Sequence, residues 1–110
     1  MIEKIVMDYL DRVLEVPAYL EIPQNPPDRF VIVDKTGSSE ENCIYSATLA
    51  LQSYAKTLYE AAALNEEVKK AMDKMVELDM ISSSKLNTDY PFTDTAKKQY
   101  RYQAVYDLVY

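Results

Sequence analysis

The sequence predicts an α+β fold, with two helices packed on one face of a mostly antiparallel sheet and the element order α-β-β-β-α-β-β. Three observations lead there. Two segments carry apolar residues at helical spacing. Five others read as strands, three of them alternating with period two or apolar on both faces. The 110 residues hold one glycine and five prolines, so no flexible linker divides the chain and one domain spans 1–110.

Residues 2–14 open the order. Ile2, Ile5, Val6, Tyr9, Leu10 and Val13 form one apolar stripe and leave Glu3, Lys4, Asp8, Asp11 and Arg12 to solvent. Pro17 ends the helix. Ala18–Ile22 reads as a short strand before the proline-rich connection from Pro23 to Pro27. Asp28–Lys35, DRFVIVDK, is apolar on both faces, which places it centrally in a sheet. Thr36–Asn42, TGSSEEN, has the composition of a turn. Residues 43–53 alternate again, with Cys43, Tyr45, Ala47, Leu49 and Leu51 on one face. These two strands should form a hairpin whose loop is longer than two residues.

The second helix is expected over 55–77, with Leu58, Ala61, Ala62, Val68, Met72, Met75 and Val76 as its stripe. Residues 80–87, MISSSKLN, give a weak strand, and 88–96, TDYPFTDTA, read as a loop. The last segment alternates strictly. Lys98, Tyr100, Tyr102, Ala104, Tyr106, Leu108 and Tyr110 share one face, which is expected to cover the sheet beneath the helices. Gln99, Arg101, Gln103, Val105, Asp107 and Val109 share the other. That second face is polar without being highly charged. Gln99, Arg101 and Gln103 are therefore interface candidates, with a neighbouring copy as the natural cover.

Composition narrows the function. The net charge is −6, with 18 acidic against 12 basic residues. Such a balance favours solubility and disfavours sequence-general DNA binding, although Lys97, Lys98 and Arg101 cluster locally. The opening MIEKIVMDYL lacks the continuous apolar core of a signal peptide, and no run is long enough to span a bilayer. Cys43 is the only cysteine, so no internal disulfide can form, and a reducing compartment such as the cytoplasm is expected.

Catalytic signals are missing. There is no histidine, hence no common general base or metal ligand. Cys43 has no histidine to activate it and should pack in the core. Glu66 and Glu67 are helix neighbours that point apart, and Glu40 and Glu41 fall in the expected turn. One glycine cannot build a phosphate cradle, and Asp89–Asp94 has too few spaced oxygens for a calcium loop. No cofactor, metal or enzymatic activity is expected. The excess lies in ten tyrosines, a residue suited to half-buried faces and interfaces.

Three stretches carry a resemblance: QSYA at Gln52–Ala55, the Ala61–Val68 pattern of the second helix, and YRYQAVYDL at Tyr100–Leu108. With these the chain resembles the tail terminator (tail-completion, head–tail joining) proteins of long-tailed bacteriophages and prophages. The resemblance runs over nearly the whole chain. It implies an α+β subunit that assembles as a ring, commonly a hexamer, on the end of the tail tube. Such a ring stops tube growth and offers a surface to the head-side connector. Expected partners are therefore further copies of this chain, a tail tube protein and a connector protein. Glu40, Glu41, Asp89, Tyr90, Phe92 and Asp94 are the expected loop contacts, with Phe92 either tucked under the domain or used as an anchor. The net charge also fits an acidic lumen that would not hold DNA. Two other readings stay open: another neck component, such as a head-closure or adaptor protein, and a small acidic inhibitor that presents carboxylates to a basic enzyme.

Overall fold

The computed structural model describes residues 1–93 and 99–110. The chain forms α1 (Ile2–Val13), β1 (Ala18–Tyr19), β2 (Phe30–Glu41), β3 (Ile44–Ala55), α2 (Leu58–Asp73), a 3₁₀ turn (Met75–Glu77), β4 (Ser83–Pro91) and β5 (Tyr100–Val109). This is the α+β order read from the sequence. The sheet order is β1-β2-β3-β5-β4, with only β1–β2 parallel.

Both helices lie on one face. Ile2, Val6, Tyr9 and Leu10 of α1, and Leu64, Val68, Ala71 and Met72 of α2, bury against Val31, Val33, Leu49, Leu51, Ala104, Tyr106 and Leu108 from three strands. Each fully buried side chain of this kind contributes roughly 1.5–3 kcal/mol through apolar burial. Hydrogen bonds tie the helices to each other and to the sheet beyond that packing. The Tyr9 hydroxyl donates to the Ala71 carbonyl at 2.7 Å, and the Tyr106 hydroxyl donates to Asp73 Oδ1 at 2.9 Å. Burial foremost, with Glu77 nearby, raises the Tyr9 pKa above its usual value. Helix α2 starts at Leu58 rather than near 55, because Tyr54 and Ala55 still belong to β3 and Thr57 caps the helix by accepting from Glu60 N at 3.1 Å.

Several boundaries differ from the sequence reading. TGSSEEN is not a turn: β2 continues to Glu41, and only Asn42 and Cys43 form the hairpin turn, both at positive φ (53° and 65°). Two left-handed residues match the twist of a two-residue hairpin, so the loop is shorter than expected. Cys43 is consequently exposed at the turn and not in the core. The weak strand at 80–87 lies instead at Ser83–Pro91, so residues 88–91 are strand and not loop. The last strand lies inside the sheet: β5 sits between β3 and β4, paired on both sides. Its even-numbered residues do face the helices, with Ala104, Tyr106 and Leu108 wholly buried.

Candidate functional site

The sheet face opposite the helices gathers side chains from all five strands. Tyr19 of β1 meets Phe30 of β2 edge-on, with ring centroids 6.1 Å apart. Phe30 stacks on Tyr54 of β3 at 4.7 Å and 5°. The Arg101 guanidinium of β5 lies 5.6 Å from the Tyr54 ring centroid and 4.3 Å from that of Phe92. Phe92, just past β4, meets Tyr90 edge-on at 6.1 Å. The result is one continuous aromatic–cation row across the sheet. The register produces it, since Phe30, Tyr54 and Arg101 are successive cross-strand partners.

A directed hydrogen-bond chain runs beside the row. Arg101 Nη1 donates to the Tyr54 hydroxyl at 2.8 Å, and that hydroxyl donates to Gln52 Oε1 at 3.2 Å. Gln52 Nε2 donates to Gln103 Oε1 at 3.0 Å, and Gln103 Nε2 donates to the Tyr90 hydroxyl. Arg101 Nε also donates to the Phe92 carbonyl. Each link orients the next, which stiffens the patch. Among the described residues the Arg101 guanidinium meets the Tyr54 and Phe92 rings, the Tyr54 hydroxyl and the Phe92 carbonyl, and forms no salt bridge. The Tyr19–Phe30–Tyr54 end is largely buried, whereas Tyr90 and Phe92 are exposed (36% and 42%).

The expected contact residues divide. Tyr90, Phe92, Arg101 and Gln103 meet in this patch. Tyr90 is on a strand, not a loop. Phe92 is not tucked under the domain: it is exposed, and Arg101 holds it at the surface. Gln99 is half-buried at the start of the last strand. Glu40 and Glu41 are not loop contacts. They end β2 at the other end of the sheet, on opposite faces, because Glu40 pairs with Tyr45 and Glu41 with Ile44. Asp89 is a strand residue on the helix side, opposite Ala104. Its carboxylate accepts from Asn65 Nδ2 at 2.9 Å and Lys69 Nζ at 3.0 Å. The Lys69 bond is the main reason its pKa falls below the usual carboxylate range, and the same bond raises that of Lys69. Asp94 lies outside the described residues.

Sequence reasoning missed Tyr19, Phe30, Gln52 and Tyr54. The signal was present in the doubly apolar DRFVIVDK, whose second face supplies Phe30 and Ile32.

A groove of about 770 Å³ opens on the helical side, between the ends of α1 and α2. Its walls mix Arg12, Lys70 and Lys74 with Glu15, Glu67 and Glu77. Among the described residues no three His, Cys, Asp or Glu side chains converge to hold a metal, and no helix is long and apolar enough to cross a membrane. No family model matches the chain, and no curated protein matches it.

Proposed function

We propose that this chain is a structural subunit of the bacteriophage tail-terminator type, which forms a ring that caps the tail tube and joins it to the head-side connector. The wording of Gln52–Ala55, Ala61–Val68 and Tyr100–Leu108 supports the reading, as does the agreement between the α+β order and the one that wording implies. One observation carries it furthest. A stiff subunit leaves an entire sheet face outside its helical layer, with an aromatic–cation patch held open at one end. Exposed rings fixed by a hydrogen-bonded arginine are the usual makings of a protein contact. Ring assembly needs such a patch to meet a different surface on the next copy.

Work in the host cytoplasm during assembly, followed by residence at the virion neck, follows from this reading, with neither cofactor nor catalysis involved. The inhibitor alternative loses ground, because it needs gathered free carboxylates. Here Glu40 and Glu41 point to opposite faces and Asp89 is held by Lys69. A different neck component shares the same surfaces and differs only in its neighbour.

Light scattering behind a sizing column, over a range of concentration, should give a mass near six subunits, or a monomer that becomes a ring on the tube. Added to polymerising tube protein, the chain should stop elongation. Tubes that grow to the same length with and without it would overturn the terminator reading. Binding to a portal-side protein but not to tubes would assign it to the head-closure group.

A further inference from the structure

The sheet ends in two long unpaired edges. On one side β1 covers only Val31 and Ile32, which leaves Val33–Glu41 of β2 open. On the other, the outer edge of β4, Ser83–Pro91, has no partner among the described residues. Open edges of this length are templates for further pairing unless something blunts them.

We propose that β2 of one copy pairs with β4 of the next, antiparallel and in a single register, with Val33 opposite Pro91, Lys35 opposite Asp89, Ser38 opposite Leu86 and Glu40 opposite Ser84. This deepens the ring reading above and rests on it. Strand direction permits the junction. β2 and β5 run one way and β3 and β4 the other, so a copy added in the same orientation sets its β4 antiparallel to β2.

The register comes from two bulges. β2 carries one extra residue between Lys35 and Gly37, and β4 carries one between Leu86 and Thr88. Each bulge switches which residues face the helices. On β2 these are Val33 and Lys35 before the bulge and Ser38 and Glu40 after it. On β4 they are Ser84 and Leu86 before it and Asp89 and Pro91 after it. In the proposed register the bulges coincide, so helix-side residues oppose helix-side residues along the full length. A shift by two residues would put the bulges out of step.

The backbone agrees. Val31 N–H points outward, to the Pro17 carbonyl, so Val33 and Lys35 point outward too. Phe92 N–H points inward, to the Arg101 carbonyl, which turns Asp89 and Pro91 outward. All four proposed pairs bring outward-pointing groups together, and only Pro91 lacks a donor.

Charge chooses between partners. The junction extends the Glu3–Lys35 ion pair (3.6 Å) and the Asp89–Lys69 pair (3.0 Å) into one alternating row across two copies. On the open face Lys85 falls opposite Ser39 and diagonal to Glu41, and no like charges oppose each other. Two-fold pairing of like edges also aligns the bulges, but it sets Val33 opposite Glu40 for β2, or Leu86 opposite Asp89 for β4. Pairing unlike edges leaves a free edge at each end until the ring closes.

In a Cys43→Ser background, Ser39→Cys with Lys85→Cys places two exposed thiols in directly opposed positions, with Cα atoms about 4.5 Å apart. Mild oxidation should give covalent species that run beyond dimer, while either single-cysteine variant gives none. Hydrogen exchange on the unaltered protein is the second readout. The amides of Lys35, Ser38, Glu40, Leu86 and Asp89 should be slowed in the oligomer relative to dilute monomer. An oligomer by mass that shows neither bridge nor slowed amides overturns this junction and leaves the ring reading standing. Amides slowed along one edge alone, β2 or β4, with no bridge in the double variant, overturn it in favour of like-edge pairing. A protein that stays monomeric at every concentration without bridging also overturns it, and tube capping then decides the ring reading separately.

Discussion

The two faces of the sheet are held by different physics. The helix-covered face is aliphatic and dry, and it gains stability from area removed from water. Its polar atoms are few and mostly satisfied, as at Tyr106 and Tyr9. The other face is uncovered toward Tyr90 and Phe92 and gains stability from specific cross-strand partners: a stacked ring pair, a cation over two rings and a relay of amides and hydroxyls. The first kind of stability tolerates changes of shape among apolar residues. The second depends on register, so a side chain there matters through its exact partner.

That contrast can be broken in graded steps. The largest effect should come from removing Leu108–Tyr110. This takes Leu108 from the core and strips ladder partners from both β3 and β4, costing more than the ~2–5 kcal/mol of a single buried leucine truncation. Urea unfolding measures it, and a truncated chain that unfolds like the full one would remove β5 from the core. Next, Tyr54→Ala should cost about 3 kcal/mol, because Tyr54 is buried even on the open face. A loss below ~1 kcal/mol in thermal melts would show that the open face contributes contacts and no stability.

Tyr54→Phe is finer. It keeps the ring on Phe30 and removes only the hydroxyl that links Arg101 to Gln52, so about 1 kcal/mol is expected. If the cost matched that of alanine, the hydroxyl relay rather than the stack would be what holds this face. The smallest effect belongs to pH and to the helix side. The folded pKa of Asp89 is depressed, so its contribution is present above the ordinary carboxylate value near 4 and is lost as pH falls below it. The folded pKa of Lys69 is raised, so its contribution holds below the ordinary lysine value near 10.4 and is lost as pH rises past it. Both groups are partly exposed, which keeps the pair below ~1 kcal/mol. Asp89→Asn should flatten the acid limb of the stability–pH curve and weaken the alkaline limb as well, because the same bond raises Lys69.

The covered face was legible in the sequence because one buried side per strand leaves a period-two imprint. Tyr106 and Leu108 announced themselves that way. The outer half of β2 did not, since both of its faces are wet there. Its Thr36 and Ser39 bond across to Thr48 O and Ser46, and such residues read as a loop when the partner strand is unknown. The turn was hidden for a related reason. Asn42 suits positive φ, but Cys43 stands where glycine usually marks a two-residue hairpin. Pro91 disguised β4, although an edge strand tolerates proline. Of the open-face patch, Arg101 and Gln103 followed from alternation on β5. Phe30 and Tyr54 did not, because their meeting depends on which strands pair, and local periodicity does not encode that.

The placement of β5 between β3 and β4 has a consequence for the order of events in folding. The ribosome delivers β5 after every other element, yet β4 has no sheet partner until β5 arrives. The β2–β3 hairpin can close early from local contacts, and α1 and α2 can settle against it. The inner edge of β3 then stays bare, and β4 waits, until the final strand inserts between them. Completion of the sheet is therefore a late, long-range step. A nascent chain paused before Tyr100 would present both bare edges at once, which makes synthesis its moment of greatest risk of mispairing and a point where a chaperone would help most.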